Sequence, residues 1–268
     1  LKFSGPCLIL SKTISTKKLF RLDLECPEIA LVAKPGQFIQ VKIPNWETAI
    51  WPRPFSIHSV EGARISIFVK IYGKMTGRLC QINVGDKLIL TGPLGNGFNS
   101  PQSELPVFLV AGGVGFPPLH FFLKYLLSKG YSRNLIHLYS GAKTAEELFA
   151  SEELESLGII CKKITEDGSL GIKGLVTEPF AADLAKAKQA IVYACGPMAM
   201  LKAVAAIAKK HKCQLSLEQL MPCGWGVCNG CAVKIKPDNI KTEDDCDYRL
   251  ARVCKEGPVF DANEVLWD

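Results

Sequence analysis

No apolar stretch in this chain is long enough to cross a bilayer without interruption. The longest charge-free run, Leu105 to Leu123, is broken by Gly112-Gly113, Gly115 and Pro117-Pro118, and Lys124 follows it. A strand, a glycine turn and a buried helix account for that run, so no membrane span is expected. Internal repeats and low-complexity tracts are also missing. Charge of one sign is lacking: 32 Lys and Arg stand against 26 Asp and Glu, a net +6 over 268 residues. That weak bias makes no case for nucleic acid, but it is compatible with anionic ligands such as phosphates. Histidine is scarce. His58, His120, His137 and His211 form no metal or catalytic constellation, and each is expected in the core or at the surface. The opening residues, Leu1 to Pro6, show no signal peptide, and a cytoplasmic location is expected.

What remains is a soluble-type composition, 48% hydrophobic and 22% charged, which excludes wholesale disorder and collagen-like or coiled-coil architecture. Length alone suggests about two domains. Cysteine is the residue in excess, with 11 copies crowding toward the end of the chain. Cys223, Cys228 and Cys231 follow C-x4-C-x2-C spacing, with Cys246 and Cys254 further on. Three close cysteines and a distant fourth form the plant-type arrangement for a 2Fe–2S cluster. A zinc site and a redox C-x-x-C pair are the alternatives. Structural zinc usually shows two C-x2-C knuckles and only one is found here; a thioredoxin-type pair sits beside a βαβ pattern, and this one does not. For the fourth ligand, Cys246 lies in the acidic run Glu243 to Asp247, where negative charge disfavours a thiolate. Cys254, followed by Gly257-Pro258-Val259-Phe260, is preferred.

The first hundred residues read as β. Phe20, Leu22 and Leu24, then Ile39, Val41 and Ile43, then Ile65, Ile67, Val69 and Ile71 alternate with mostly polar neighbours, predicting one buried and one wet face. Short strands between glycine and proline turns suggest a small antiparallel barrel. After Phe98 to Ser103 the pattern changes. Pro106 to Ala111 reads as a strand buried on both faces. A helix from near Pro117, a strand Leu135 to Tyr139, a helix Ala145 to Leu157, strands Ile159 to Ile164 and Ala190 to Ala194, and a helix Met198 to Lys210 follow. Such alternation implies a three-layered parallel sheet. The expected division is 1–100, 101–215 and 216–268. The last piece is too small for its own core and needs a staple.

Several loops could meet a nucleotide. Arg53-Pro54-Phe55-Ser56 ends a barrel strand, and a guanidinium binds pyrophosphate oxygens in pairs. Thr76, within Gly73 to Gly77, could cap a short helical turn and offer N–H groups to a phosphate. Gly112, Gly113 and Gly115 follow the first buried strand, where a pyrophosphate or nicotinamide would rest, although the G-x-G-x-x-G fingerprint is absent. Cys195-Gly196-Pro197 follows the last buried strand on the same sheet edge. Each motif alone also has a plain structural reading: a surface arginine, an ordinary capped turn, a buried strand-end thiol.

Their order along the chain resembles the ferredoxin-NADP reductase superfamily, and within it the electron-transfer subunits of type B dihydroorotate dehydrogenase. The resemblance covers nearly the whole chain. It implies an FAD-binding barrel, a nicotinamide-binding α/β domain and a C-terminal 2Fe–2S domain. It further implies that Arg53, Pro54, Phe55, Ser56, Val69, Lys70, Ile71, Met75 and Thr76 bind FAD, and that Cys223, Cys228, Cys231 and Cys254 hold the cluster. NAD(P)H would give a hydride to the flavin, and the cluster would pass single electrons to a flavoprotein catalytic subunit. A sibling subunit serving a hydrogenase, sulfite reductase or ferredoxin-linked transhydrogenase, and a redox sensor, are the other readings.

Overall fold

The structure is a computed structural model that describes residues 2–46, 51–149, 154, 156–237 and 247–267. Seven strands build the first unit: β1 (Phe3–Ile14), β2 (Leu19–Glu25), β3 (Phe38–Lys42), β4 (Arg53–Ser56), β5 (Ser59–Glu61), β6 (Arg64–Lys70) and β7 (Lys87–Leu94). They pair antiparallel in the order β4-β3-β7-β1-β2-β6-β5. The edge strands β4 and β5 are separated in sequence only by Ile57 and His58, so the sheet has to curl until its edges approach. Ile57 donates its N–H to the Gln37 carbonyl (3.1 Å) beside β3, and His58 donates to Ser66 (2.8 Å) on β6. These two bonds close a barrel.

The apolar alternation fills the barrel, with Phe20, Leu22, Leu24, Ile39, Val41, Ile65, Ile67 and Val69 in one core. The other face is not wet throughout, because Asp23, Gln40 and Ser66 are buried. The physical reasons differ. Asp23 is ringed by donors: Ser11 at 2.5 Å, Ser66 at 2.6 Å and Arg21 at 3.3 Å. Gln40 is covered by the C-terminal segment, to which it donates a hydrogen bond. A short helix α1 (Pro27–Ala30) follows β2, and α2 (Lys74–Gln81) follows β6. Thr76 is not the cap of α2 but lies within its first turn. Its Oγ1 accepts from the N–H groups of Tyr72 (2.9 Å) and Gly73 (3.1 Å).

The second sheet runs β11-β10-β9-β8-β12-β13-β16. Its parallel strands are β8 (Val107–Gly112), β9 (Ile136–Ala142), β10 (Cys161–Thr165), β11 (Ile172–Lys173), β12 (Ile191–Cys195) and β13 (Lys212–Ser216). Every residue of β8 is buried. Leu109 and Ala111 face α3 (Phe116–Ser128), while Phe108 and Val110 face α4 (Thr177–Leu184) and α5 (Met198–Ile207). Three layers result. A 3-10 turn, Gly113–Gly115, intervenes between β8 and α3. Of the helix expected over Ala145 to Leu157, the structure gives a 3-10 turn at Ala145–Glu147, and residues 150–153 and 155 lie outside the described residues. Helix α4 and strand β13 carry no alternation or helical spacing strong enough to be read beforehand.

The last segment supplies β14 (Ala232–Ile235) and β15 (Arg249–Arg252), a two-stranded ribbon, and β16 (Val259–Asp261), which pairs antiparallel with β13. The barrel meets the second sheet through His58 stacked on His120 (centroids 4.0 Å) and through Lys124 on Glu61 (2.9 Å). Glu147 also binds two barrel lysines, Lys70 at 2.9 Å and Lys18 at 3.3 Å. Among the described residues no helix is long and apolar enough to cross a membrane.

The Lys70 hydrogen bond holds the Glu147 carboxyl below its usual range against the opposing effect of desolvation. Its contribution to stability is therefore full above the unfolded-state pKa of 4.5 and is lost as pH falls through the lower folded-state value. Glu147→Gln should cost about 1 kcal/mol at neutral pH. Urea denaturation of the two proteins should show that gap closing as the buffer is acidified.

Candidate cofactor clefts and cysteine centre

A cleft of about 420 Å³ opens where the barrel meets the carboxyl edge of the second sheet. Strand β4 brings Pro54, Phe55 and Ser56 to it, and β6 brings Lys70. Gly112 and Gly113 enter from the end of β8, and Cys195 and Pro197 from the end of β12. Residues far apart in sequence thus share one wall. Two of the loops touch closely. A Cβ on Gly115 would lie 2.0 Å from the Cys195 carbonyl oxygen, and one on Gly196 would lie 3.0 Å from Gly112 Cα. The glycine at 115 is needed by the neighbouring backbone and leaves no free space for a ligand there.

Other expected residues fall outside this cleft. Arg53 is exposed at the start of β4, and its Nη1 donates to the carbonyls of Trp51 (2.9 Å) and Pro52 (3.3 Å). Val69 and Met75 are buried in the barrel core, and Ile71 packs against it. Only their backbones, or a neighbouring loop, could serve a ligand. Thr76 stands at the exposed start of α2, where first-turn N–H groups lack helical partners.

Several lining residues carried no signal in the sequence. Tyr72, 92% exposed, stands at the cleft with Phe38 and Phe68. Glu218, a largely exposed residue, lies in the cleft wall, and partial desolvation there raises its pKa. Burial likewise pushes the Cys195 thiol up, so it stays protonated. Met221 and Pro258, from the cysteine-bearing segment, complete the wall. Phe38 and Phe68 lie within strands, Tyr72 and Glu218 lie two residues beyond the ends of β6 and β13, and Met221 lies two residues before Cys223.

A second cleft of about 400 Å³ shares Lys70, Gly112, Gly113 and Pro197 with the first and continues past the ends of β9 and β10 to Lys143, Glu147 and Glu166. Ligands of open α/β sheets bind outside these strand ends. A larger cavity, about 950 Å³, lies elsewhere, bounded by Lys34, the Gly95–Ser100 loop and Glu264, and holds none of the expected residues.

The four cysteines form two pairs. Cys231 and Cys254 are buried with their sulfurs 3.3 Å apart, while Cys223 and Cys228 lie nearer the surface and hydrogen-bond each other. Backbone N–H groups point at sulfur throughout: Trp225 to Cys223, Gly230 to Cys228 and Cys254 to Cys231, each at 3.4 Å. Desolvation raises the Cys223 pKa, but the N–H groups of Cys228, Val227 and Trp225 outweigh it and bring it to about 6. Burial first, then the Cys231 thiol, pushes Cys254 up to about 12. Arg252 ties the two loops together, donating to the Gly226 carbonyl (2.6 Å) and to Glu256 (3.0 Å). Cys246 lies outside the described residues.

Among the described residues no three ligand-type side chains converge on a single ion. Two thiol pairs with N–H donors aimed at sulfur could hold a centre of two irons, each taking two thiolates. That donor set fits a 2Fe–2S cluster better than one tetrahedral zinc.

Comparisons with known proteins agree with this layout. Residues 8–98 match the oxidoreductase FAD-binding domain, 109–206 the oxidoreductase NAD-binding domain, and 218–266 the iron-sulfur cluster binding domain of dihydroorotate dehydrogenase B. The chain is therefore an NAD-linked flavin oxidoreductase that carries an iron–sulfur domain. It is 38% identical to the dihydroorotate dehydrogenase B (NAD(+)) electron transfer subunit of Caldanaerobacter subterraneus subsp. tengcongensis, over 87% of each chain. The Enterococcus faecalis subunit of the same name is 33% identical over 93% of each. The structure superposes on that of an NADH-dependent reduced ferredoxin-NADP oxidoreductase with a TM-score of 0.83, at 26% identity, covering 99% of this chain and 91% of the other. The chain belongs to the family of dihydroorotate dehydrogenase B electron transfer subunits.

The contact between Gly115 and Cys195 gives a direct test of how the cleft floor is built. Gly115→Ala should destabilise the fold by about 2 kcal/mol through overpacking, read as a lowered thermal midpoint. An unchanged midpoint would mean the two loops are not packed as described.

Proposed function

We propose that this chain carries electrons between NAD(H) and a flavoprotein catalytic subunit that oxidises dihydroorotate, in pyrimidine biosynthesis. The observation that carries the reading is the first cleft, where a barrel strand, the glycine end of β8, the Cys195 end of β12 and the cysteine-bearing segment face one another. When bound, FAD exchanges a hydride with a nicotinamide and single electrons with a 2Fe–2S cluster. The three functional units are 1–100, 101–215 and 216–268.

This chain's own residues bind and orient. Pro54, Phe55, Ser56 and Lys70 present the barrel side of the cleft to the flavin ring, with the backbones of Val69 and Ile71 along the same strand. Arg53, with the first turn of α2 at Met75 and Thr76, supplies the cationic and N–H donors for its phosphates. Gly112, Gly113, Cys195 and Pro197 form the floor for the nicotinamide nucleotide, and Gly115 and Gly196 let the two loops pack closely beneath it. The Glu166 carboxylate in the second cleft disfavours an added phosphate on the ribose, in keeping with the NAD(+) in the relatives' name. Cys223, Cys228, Cys231 and Cys254 hold the cluster. Beside them Leu220 (82% exposed), Val227 (80%) and Trp225 offer apolar surface to the partner.

A second reading has its own support, since the superposed ferredoxin-NADP oxidoreductase aligns over nearly the whole chain. One experiment separates the two. Co-expression with a dihydroorotate dehydrogenase catalytic subunit should give a stable complex with NAD-linked dihydroorotate oxidation that neither subunit has alone. No complex, with NADH-driven dye reduction intact, would leave the cofactor assignment standing and move the partner to the ferredoxin-linked class.

The cluster ligands are tested by serine substitution. Cys254→Ser should lose the 2Fe–2S signal with FAD retained, and Cys246→Ser should leave both in place. The reverse pattern would transfer the fourth ligand to Cys246.

A further inference from the structure

We propose that Gln40 and Asn96, two amide side chains of the barrel, are positioning residues that clasp the two cysteine-bearing segments and fix the electron path between the flavin cleft and the cysteines. The proposal rests on the reading that those cysteines hold the cluster.

Gln40 occupies an improbable place for its chemistry. Its neighbours Ile39 and Val41 point into the barrel core, so its own side chain faces outward, beside Pro54 on the paired strand β4. Pro54 lines the flavin cleft. Gln40 is 2% exposed, and its Nε2 donates to the Met221 carbonyl at 2.9 Å. The clasp is tight at the next turn, where a Cβ on Gly224 would lie 2.7 Å from Gln40 Cγ and Nε2. Met221 and Gly224 flank Cys223. Its Oε1 is buried with no hydrogen-bond partner, spare acceptor capacity beside a loop rich in N–H groups. Stability alone would favour an apolar residue here, because a half-satisfied buried amide costs free energy. An amide earns its place by holding the Met221 carbonyl at a set position.

Asn96, on the loop after β7, does the same for the other segment. Its Nδ2 donates to the carbonyls of Glu256 (2.8 Å) and Val259 (3.0 Å), and its Oδ1 accepts from the Val259 N–H (3.0 Å). Its own N–H reaches the Gly257 carbonyl at 2.7 Å. Cys254 lies two residues before this clasp. A primary amide is the side chain that can donate twice and accept on one short stem. Each clasp thus joins one cysteine segment to the barrel that carries the flavin cleft, through backbone groups of that segment.

Gln40→Met keeps length and volume and removes both polar groups. Asn96→Leu does so at the exposed clasp, where loss of fold is least expected. Holoprotein of each would be assayed for FAD and iron, followed by stopped-flow absorbance after mixing with NADH, and by EPR of the dithionite-reduced protein. Flavin reduction by NADH should proceed as in wild type. Cluster reduction should be slower than in wild type, because electron tunnelling weakens as donor and acceptor move apart, and the EPR spectrum should shift or broaden. Loss of cluster with FAD retained in Gln40→Met also supports the clasp. Wild-type transfer rates and EPR spectra in both variants overturn it. If Gln40→Met does not fold, Asn96→Leu decides by the same two readouts. A wild-type protein with FAD but no 2Fe–2S signal sinks the cysteine reading itself, and the proposal with it.

Discussion

A short segment rich in cysteine and glycine cannot bury a core of its own, and the rest of this molecule is arranged around that constraint. The ribbon of β14 and β15 would be marginal in isolation. It is held because β16 adds to the edge of the parallel sheet at β13, with Leu217 and Ala262 closing backbone bonds of 2.8 Å on either side. Cys231, Ala251, Val253, Cys254 and Phe260 then share one core with Val192, Leu215 and the helices α4 and α5. Two of the four thiols are buried for this reason. They belong to the sheet's core before they belong to any metal.

The clefts follow from the same economy of surfaces. The barrel closes on itself through Ile57 and His58, which leaves β4 and β6 facing the carboxyl edge of the second sheet. The two bodies are fixed there by a ring stack, by Lys124 on Glu61, and by Glu147 gripping Lys70 and Lys18. Lys70 lies in both clefts. Its charge is already answered by Glu147, so the wall is polar without a strong field of one sign.

The barrel and the sheet were legible because period-2 alternation and the wholly apolar run at Val107 to Ala111 report burial directly. Alternation reveals that a strand has two faces, but not what covers the second. Gln40 and Asp23 therefore read as solvent-facing, although the partners that bury them lie 181 residues away for Gln40 and on neighbouring strands for Asp23. Strand β16 was hidden for a similar reason: three residues carry no period, and their pairing with β13 is set by tertiary contact. The glycine and cysteine loops were found by spacing, while Phe38, Tyr72 and Glu218 were not, since the sequence does not say which loop ends meet. Gly115 shows the limit from the other side. Its motif suggested a ligand, and the structure gives it to the Cys195 backbone.

The cysteine loop shows how the chain prepares a site in its own backbone. Gly224, at φ +71°, takes a left-handed turn that side-chain-bearing residues rarely adopt, and Asn229 takes another at +56°. Such turns reverse the chain within a few residues and direct successive N–H groups inward, toward sulfur. The two thiol pairs then differ in setting. Cys223 and Cys228 sit among donors near the surface, beside exposed Trp225 and Val227, while Cys231 and Cys254 sit in the shared core. Donors and solvent favour negative charge at the outer pair, and burial disfavours it at the inner one. A centre held between them is polar on its outer side and apolar on its inner side, which backs onto the barrel and sheet. That asymmetry is set by the two segments themselves, one looped outward among N–H donors and the other packed into the sheet's core.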